Sequence, residues 1–216
     1  MLTKMDLKTV LQSTYTCRYY SDEGIEEPKL KRVLDAARWG PSGGNRQPVS
    51  LVVVRDPKKK LALQELYLPL WEPYVKGIEE GDIKITARDS NMLRDADHFA
   101  RNIANIPVLI KVCARLGDVH PTDTELDRLS IVGGSSVYPP VQNILLSARS
   151  ENLGSALTTL LCAVEPEVKK LLKIPEDVST AAMITLGYPL KDFPKKLNRK
   201  PIEDMCWEEH YGEKMF

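Results

Sequence analysis

Neither sign of charge prevails in this chain: 30 Lys and Arg stand against 30 Asp and Glu, a formal net charge of zero. Nucleic acid and anionic membrane surfaces draw on clustered positive charge, so this balance argues against both partners. Cysteine is scarce. The four thiols, Cys17, Cys113, Cys162 and Cys206, include no C-x-x-C pair. That excludes zinc-ligand spacing and argues against a disulfide framework in a chain of this size. They read instead as buried or idle thiols. The uncharged stretch Ser130–Ala148 holds Gly133-Gly134, Pro139-Pro140 and Gln142-Asn143, a mixture unsuited to a lipid-facing helix of ~20 residues. The opening MLTKMDLKTVLQ lacks an apolar core followed by a small-residue cleavage site, so the expected location is the cytoplasm. Also missing are a P-loop, a G-x-G-x-x-G after a strand, H-E-x-x-H and G-x-S-x-G. A Rossmann dehydrogenase, a zinc hydrolase and a serine hydrolase lose their signatures with them. The 3 histidines, His98, His120 and His210, show no ligand spacing. They read as surface or structural imidazoles, and no metal is expected.

What is present is ordinary for a globular protein: 43% hydrophobic and 28% charged residues over 216 positions. At ~150 residues per domain that length predicts a single domain spanning residues 1–216. Leu30, Val33, Leu34 and Ala37 follow helical periodicity, with Pro28 in the first turn and Gly40 as the expected stop. Leu51–Val54 reads as a buried strand, and Pro107–Ala114 as a second. Between Lys58 and Asn105 the pattern turns irregular. A helix over Leu61–Leu66 is expected to break at Pro69, Pro73 and Gly77, and Ser90 to cap another running to Ile103. Val137, Val141, Ile144, Leu145 and Ala148 mark a long helix that Gly154 is expected to end. Ser155–Val164 reads as extended, Pro166–Leu172 as a short helix, and Thr180–Leu186 as a last strand. Such alternation favours an α/β or α+β sandwich. The tail from Tyr188 onward has no period of its own, which suits an arm lying across another surface.

One loop holds candidate chemistry: Pro41–Pro48, reading PSGGNRQP, between a helix end and a buried strand. Its glycines let the backbone approach a flat ligand closely. Ser42, Asn45 and Gln47 supply neutral donors and acceptors that can read heteroatoms on a ring. The same composition also makes an ordinary helix-to-strand turn. Taken alone, the loop decides nothing.

Three stretches taken together go further. TYTCRYYSDEGIEEPKLKRVLDAARWGPSGGNRQP, then YPPVQNILLSARSENLGSALTT, then LNRKP near the end resemble the FMN-dependent nitroreductase family in order and spacing. The resemblance covers nearly the whole chain, and PSGGNRQP is its most specific part. It implies an α+β fold: a three-layer α/β/α sandwich on a mixed, mainly antiparallel sheet, working as a homodimer with FMN at the interface. Arg18 and Arg199 match the family's cations for the FMN phosphate or the N1/O2 edge of the ring. Guanidinium forks suit a phosphate dianion, and a nearby cation suits negative charge at N1. Pro41, Ser42, Gly43 and Asn45 match positions that wrap the ring from the partner subunit. Thr158, Thr159 and Leu160 match the segment whose backbone N–H faces N5, and Thr16 and Gln142 fall within the matched cofactor-binding stretches. There are departures. Where family members carry a second arginine before Arg18, this chain reads Thr14, Tyr15, Thr16, Cys17, so hydroxyls stand where a charge is usual. The aromatic common after the Q-P pair is Val49 here.

The resemblance implies that hydride passes from NAD(P)H through flavin N5 to an electron-poor small molecule, a nitroaromatic or quinone, in a ping-pong cycle. Cofactor chemistry and positioning carry such a reaction, so no protein acid, base or nucleophile is expected. Other chemistries on the same fold stay open: reductive dehalogenation, ene reduction, oxygen-dependent flavin breakdown, or flavin binding without turnover. The choice is expected to lie in a variable lid at about residues 67–104. There Trp71, Tyr74 and Arg88 either meet an aromatic or anionic substrate or serve only to pack the lid. A C-terminal arm at about residues 188–216 completes the expected plan.

Overall fold

The computed structural model describes residues 5–82 and 87–216, with the backbone alone for 87–89. Four strands make its sheet: β1 (Val49–Val54), β2 (Val108–Arg115), β3 (Gly154–Thr158) and β4 (Val178–Gly187), in the order β1-β2-β4-β3. Every pairing among them is antiparallel. The parallel element is a bridge between Thr16 and Ser155, which lays the N-terminal segment along β3. Residues Val108–Ala114 of β2 are all buried, as expected of a central strand covered on both faces.

Alternation along β2 and β4 divides the interior into two cores. Val108, Ile110, Val112, Ala182, Ile184 and Leu186 face α2 (Glu27–Asp35) and α5 (Tyr138–Ser150). The helices answer with Leu30 and Val33, and with Val141, Ile144 and Ala148, each set at the spacing of one helical face. Leu109, Cys113 and Met183 face the other way, toward α3 (Pro57–Glu79), α4 (Ala87–Arg101) and α6 (Glu165–Leu172). Helices on both faces of one sheet make an α+β, three-layer sandwich.

The structure corrects the expected break inside α3. The helix runs unbroken through Pro69, Pro73 and Gly77 to Glu79, so residue 67 lies mid-helix and not at the start of an irregular insertion. Proline removes one backbone bond and crowds the preceding turn. Here Leu63 and Tyr67, one turn apart and buried against the lower core, hold the helix, and Trp71 packs on that core a turn later. Tertiary packing thus outweighs local propensity. Ser90 sits inside α4 and does not cap it. Gly154 begins β3; α5 closes instead on a turn in which Asn152 takes φ 60°. Past Thr158 the chain coils into a 3₁₀ segment, Leu160–Val164, where extended chain was expected. Gly40 likewise follows a 3₁₀ turn, Ala36–Trp39, and not α2 itself. These are boundary errors of the ordinary kind, set by the last turn of a helix.

Candidate active site

The N-terminal segment is the hub of the site. After α1 (Leu7–Ser13), the Cys17 N–H donates to the Ser155 carbonyl at 2.9 Å. On its other side the tail returns: Ser21 N–H donates to Tyr188 O at 2.9 Å, Leu190 N–H to Tyr19 O at 3.0 Å, and Leu197 N–H to Gln12 O at 2.7 Å. The last contact brings Arg199 to the end of α1, so Arg199 and Arg18 hang on the same Gln12–Arg18 stretch. Neither has a carboxylate partner among the described residues, and nor do Lys195, Lys196 and Lys200; Arg199 donates only to the Asn198 carbonyl, at 2.8 Å. Lys195, Lys196, Arg199 and Lys200 are exposed, and their charge is open to an anion as well as to solvent. The three lysines were missed from sequence, although the run KKLNRK is legible there.

Beside Arg18 stands Tyr67, whose hydroxyl lies 3.3 Å from Thr158 Oγ1. Burial raises this phenol above its ordinary value, while the Thr158 bond and the Arg18 charge pull back. Tyr67 is therefore a neutral hydroxyl at the edge of the site, one that periodicity marks only as a core residue. Thr158 also accepts from the Leu160 N–H at 3.3 Å. Of the three residues expected to face N5, Thr159 alone keeps a backbone N–H without a partner among the described residues. Thr16 is exposed beside β3. Thr14 donates its hydroxyl to the Val10 carbonyl at 2.7 Å, so only its lone pairs remain for a ligand. Burial holds the neighbouring Cys17 thiol above its usual value, which makes it a packing residue.

The Pro41–Pro48 loop lies elsewhere. It feeds edge strand β1, whereas Thr16, Arg18 and Thr158 adjoin β3 at the opposite edge, three strand spacings or ~14 Å away. Gly43 N–H donates to Ser136 Oγ at 3.1 Å, and Gln47 N–H to Ser42 Oγ at 3.0 Å. Gly44, Asn45 and Gln47 take φ of 59°, 53° and 52°, with Arg46 at −75° between the last two; these are left-handed positions that glycine adopts freely and asparagine tolerates. The result presents Gly43 and Asn45 to solvent, as is Pro41, with Ser42 turned inward. Ser42 and Gln47 line a cavity of ≈ 260 Å³ with Leu34, Ala37, Gly40 and Pro140, less than the ~300–1,000 Å³ of small-molecule sites. Gln142 is exposed on α5. One chain thus supplies two separate halves of the expected site and does not bring them together.

Of the lid residues, Trp71 donates its indole N–H to Asp97 Oδ1 at 3.0 Å, tying α3 to α4, and Tyr74 leans on Trp71 at 5.5 Å. Tyr74 is exposed and Trp71 half-buried; Arg88 lies among residues whose side chains are outside the described ones. The hub also holds α4: Tyr19 stacks on His98 at 4.3 Å and donates to Asp95 at 2.7 Å, with Lys191 over its ring at 3.6 Å. The Tyr19 bond, against a smaller desolvation cost, keeps the Asp95 carboxyl below its ordinary value.

The nitroreductase family model matches residues 11–188. The chain belongs to the nitroreductase family. A Thermus thermophilus protein named NADH dehydrogenase is 27% identical over 208 residues, covering 94% of this chain and 95% of its own. A Bacillus subtilis protein named FMN reductase (NAD(P)H) is 24% identical over 197 residues, 90% of this chain and 70% of its own. Among solved structures, NfrA1 of B. megaterium superposes with a TM-score of 0.69 at 20% identity, over 95% of this chain and 74% of that one. This member of the family is accordingly an NAD(P)H-dependent oxidoreductase. No helix among the described residues is long and apolar enough to cross a membrane.

Proposed function

We propose that this nitroreductase binds FMN and reduces an electron-poor small molecule, a quinone or nitroaromatic, with electrons from NAD(P)H. Bound FMN would supply an N5 that accepts hydride from the nicotinamide and returns it to the acceptor. The observation that carries this reading is Arg18 beside Tyr67, whose hydroxyl meets Thr158, one residue before the Thr159 N–H that has no partner among the described residues. With Arg199 brought to the end of α1, these are the donor types that a phosphate and a ring nitrogen require. Arg18 and Arg199, with Lys195, Lys196 and Lys200 behind them, hold the phosphate or the N1/O2 edge. The Thr159 N–H follows directly on β3, and a main-chain donor in that position stays in place whichever redox state it faces. Tyr67 supports Thr158 through its hydroxyl. The separation of the Pro41–Asn45 loop from this donor set supports a homodimer in which each chain lends its loop, and Gln142, to the other's flavin. The arm at 188–216, held along the first chain as far as Leu197, leaves exposed Ile202, Met205, Tyr211 and Phe216 beyond it for a partner surface. Trp71 and Tyr74, with Arg88, would line the acceptor's side of the site.

A shared flavin face admits nicotinamide and acceptor only in turn. Varying NADPH at several fixed quinone concentrations then gives parallel double-reciprocal lines, and heating the purified protein releases FMN. Intersecting lines would point to separate sites, and recovery of FAD, or no flavin after reconstitution, would overturn the cofactor assignment.

A further inference from the structure

Below the sheet, on the face away from α5, lies a lysine that hydride transfer does not use. Lys111 sits mid-way along β2, 1% exposed, between Leu109 and Cys113 on the same face. Among the described residues its amine makes one hydrogen bond, to Cys162 Sγ at 3.9 Å. The nearest acid, Glu165, is committed elsewhere, accepting from the backbone N–H and the hydroxyl of Thr180, the latter at 2.8 Å. Thr180 adjoins the irregular register between Val112 and Cys113. A buried ammonium without a carboxylate is costly, and burial depresses the Lys111 pKa, with the surrounding thiols and Glu165 opposing it. The Lys111 nitrogen thus stands against the Cys162 sulfur without a carboxylate partner among the described residues, and burial disfavours its charged form. Cys162 is half-buried and reachable from solvent; Cys113 is fully buried, donates weakly to the Lys111 carbonyl at 3.9 Å, and is pushed up to about 11 by burial.

We propose that Lys111 and Cys162 form a peroxide-driven covalent switch, closing a sulfur–nitrogen bond between β2 and the Leu160–Val164 turn. In the first step hydrogen peroxide takes two electrons from the Cys162 sulfur: the O–O bond breaks, one oxygen stays as the sulfenic acid and the other leaves as water. In the second step the Lys111 nitrogen attacks that sulfur, the S–OH bond breaks, and the hydroxyl departs with an amine proton as a second water. The balance is R–SH + R′–NH₂ + H₂O₂ → R–S–NH–R′ + 2 H₂O, and excess thiol reverses it. Sulfenic acids condense with a backbone nitrogen to a sulfenamide, and the Lys111 amine, a stronger nucleophile when uncharged, stands 3.9 Å from the sulfur. The bond would pin the turn that follows Thr158–Leu160, so oxidation would stiffen one wall of the site proposed above.

The test uses the full-length protein and added hydrogen peroxide, so its outcome is independent of whether the chain binds flavin. The intact mass should fall by ~2 Da, the two hydrogens removed, and dithiothreitol should restore it. Digestion without reductant should yield one peptide pair joined through Lys111 and Cys162. Lys111→Met should abolish the loss while Cys113→Ser retains it. A loss that persists in Lys111→Met, or a pair joined through Cys113, would assign a disulfide and overturn the proposal. Oxygen adducts on Cys162 without a joined peptide, or no mass change, would overturn it as well. The wild-type peptide map decides the matter even if the Lys111 variant fails to fold.

Discussion

Gly40→Ala tests how the Pro41–Pro48 loop is held. Gly40 has φ −71° and ψ 135°, which any residue adopts, so alanine meets no backbone strain there. The obstacle is contact: an added Cβ would stand 2.5 Å from both the ring Cδ and the backbone nitrogen of Pro140, and 2.7 Å from its Cγ. Pro140 is buried in the first turn of α5, and a proline ring cannot swing aside as a long side chain would. Overpacking of this kind costs ~1–3 kcal/mol, offset by ~0.4–1 kcal/mol because alanine restricts the unfolded chain. At the middle of both ranges the net loss is about 1.3 kcal/mol, or roughly 3–5 °C in Tm for a chain of this length. Gly117→Ala is the control: nothing lies within 4 Å of its Cβ position, so it should be neutral or gain ~0.4–1 kcal/mol. Urea unfolding of both variants, at one protein concentration because assembly shifts apparent stability, reads the difference as a lower midpoint at unchanged slope. Gly40→Ala within ~0.5 kcal/mol of wild type would show that α5 yields and that the loop is not clamped. Flavin affinity should fall alongside stability, since the strain lands on Pro41.

Arg18→Ala and Arg199→Ala should each weaken FMN binding by ~1.5–3 kcal/mol, the scale of a charged hydrogen bond, with the apo-protein's Tm nearly unchanged; titrations equal to wild type for both would refute the phosphate assignment. The Asp123 carboxylate accepts from the Ser130 hydroxyl at 2.6 Å, the Ile131 N–H at 2.9 Å and Arg128 at 2.8 Å, and these bonds hold it well below the ordinary 3.8. A folded pKa below the unfolded one means stability present above 3.8 and lost as pH falls past it. Wild type should therefore lose stability more steeply than Asp123→Asn between about pH 5 and pH 2, and parallel profiles would defeat the reasoning.

Much of the fold is legible from spacing alone, because helices and strands that bury one face must repeat apolar residues at fixed intervals. Val141, Ile144 and Ala148 of α5 and the unbroken run of β2 are read this way. The second half of α3 is not: Pro69 and Pro73 signal a break, and only contact with the lower core, through Leu63, Tyr67 and Trp71, decides against it. The donor set divides similarly. Arg18 and Arg199 stand out by resemblance, whereas Tyr67 and Ser136 acquire roles only through long-range contacts, to Thr158 and to Gly43, that no local pattern encodes. Lys111 looks from sequence like an intruder in a strand; its significance depends on a sulfur from a turn far along the chain.

Closure of the N-terminal hub by the tail also imposes an order on synthesis. Thr16 and Cys17 are made before their partner Ser155, which follows only after α5, and Tyr188, Leu190 and Leu197 come later still. Until then the segment bearing Arg18 has no strand to lie against, and Arg199 has not been made. Domains that close on sequence-distant contacts fold late during translation. A nascent chain of this protein can therefore assemble its sheet progressively but cannot bring Arg199 to the segment bearing Arg18 until Leu197 has emerged to pair with Gln12.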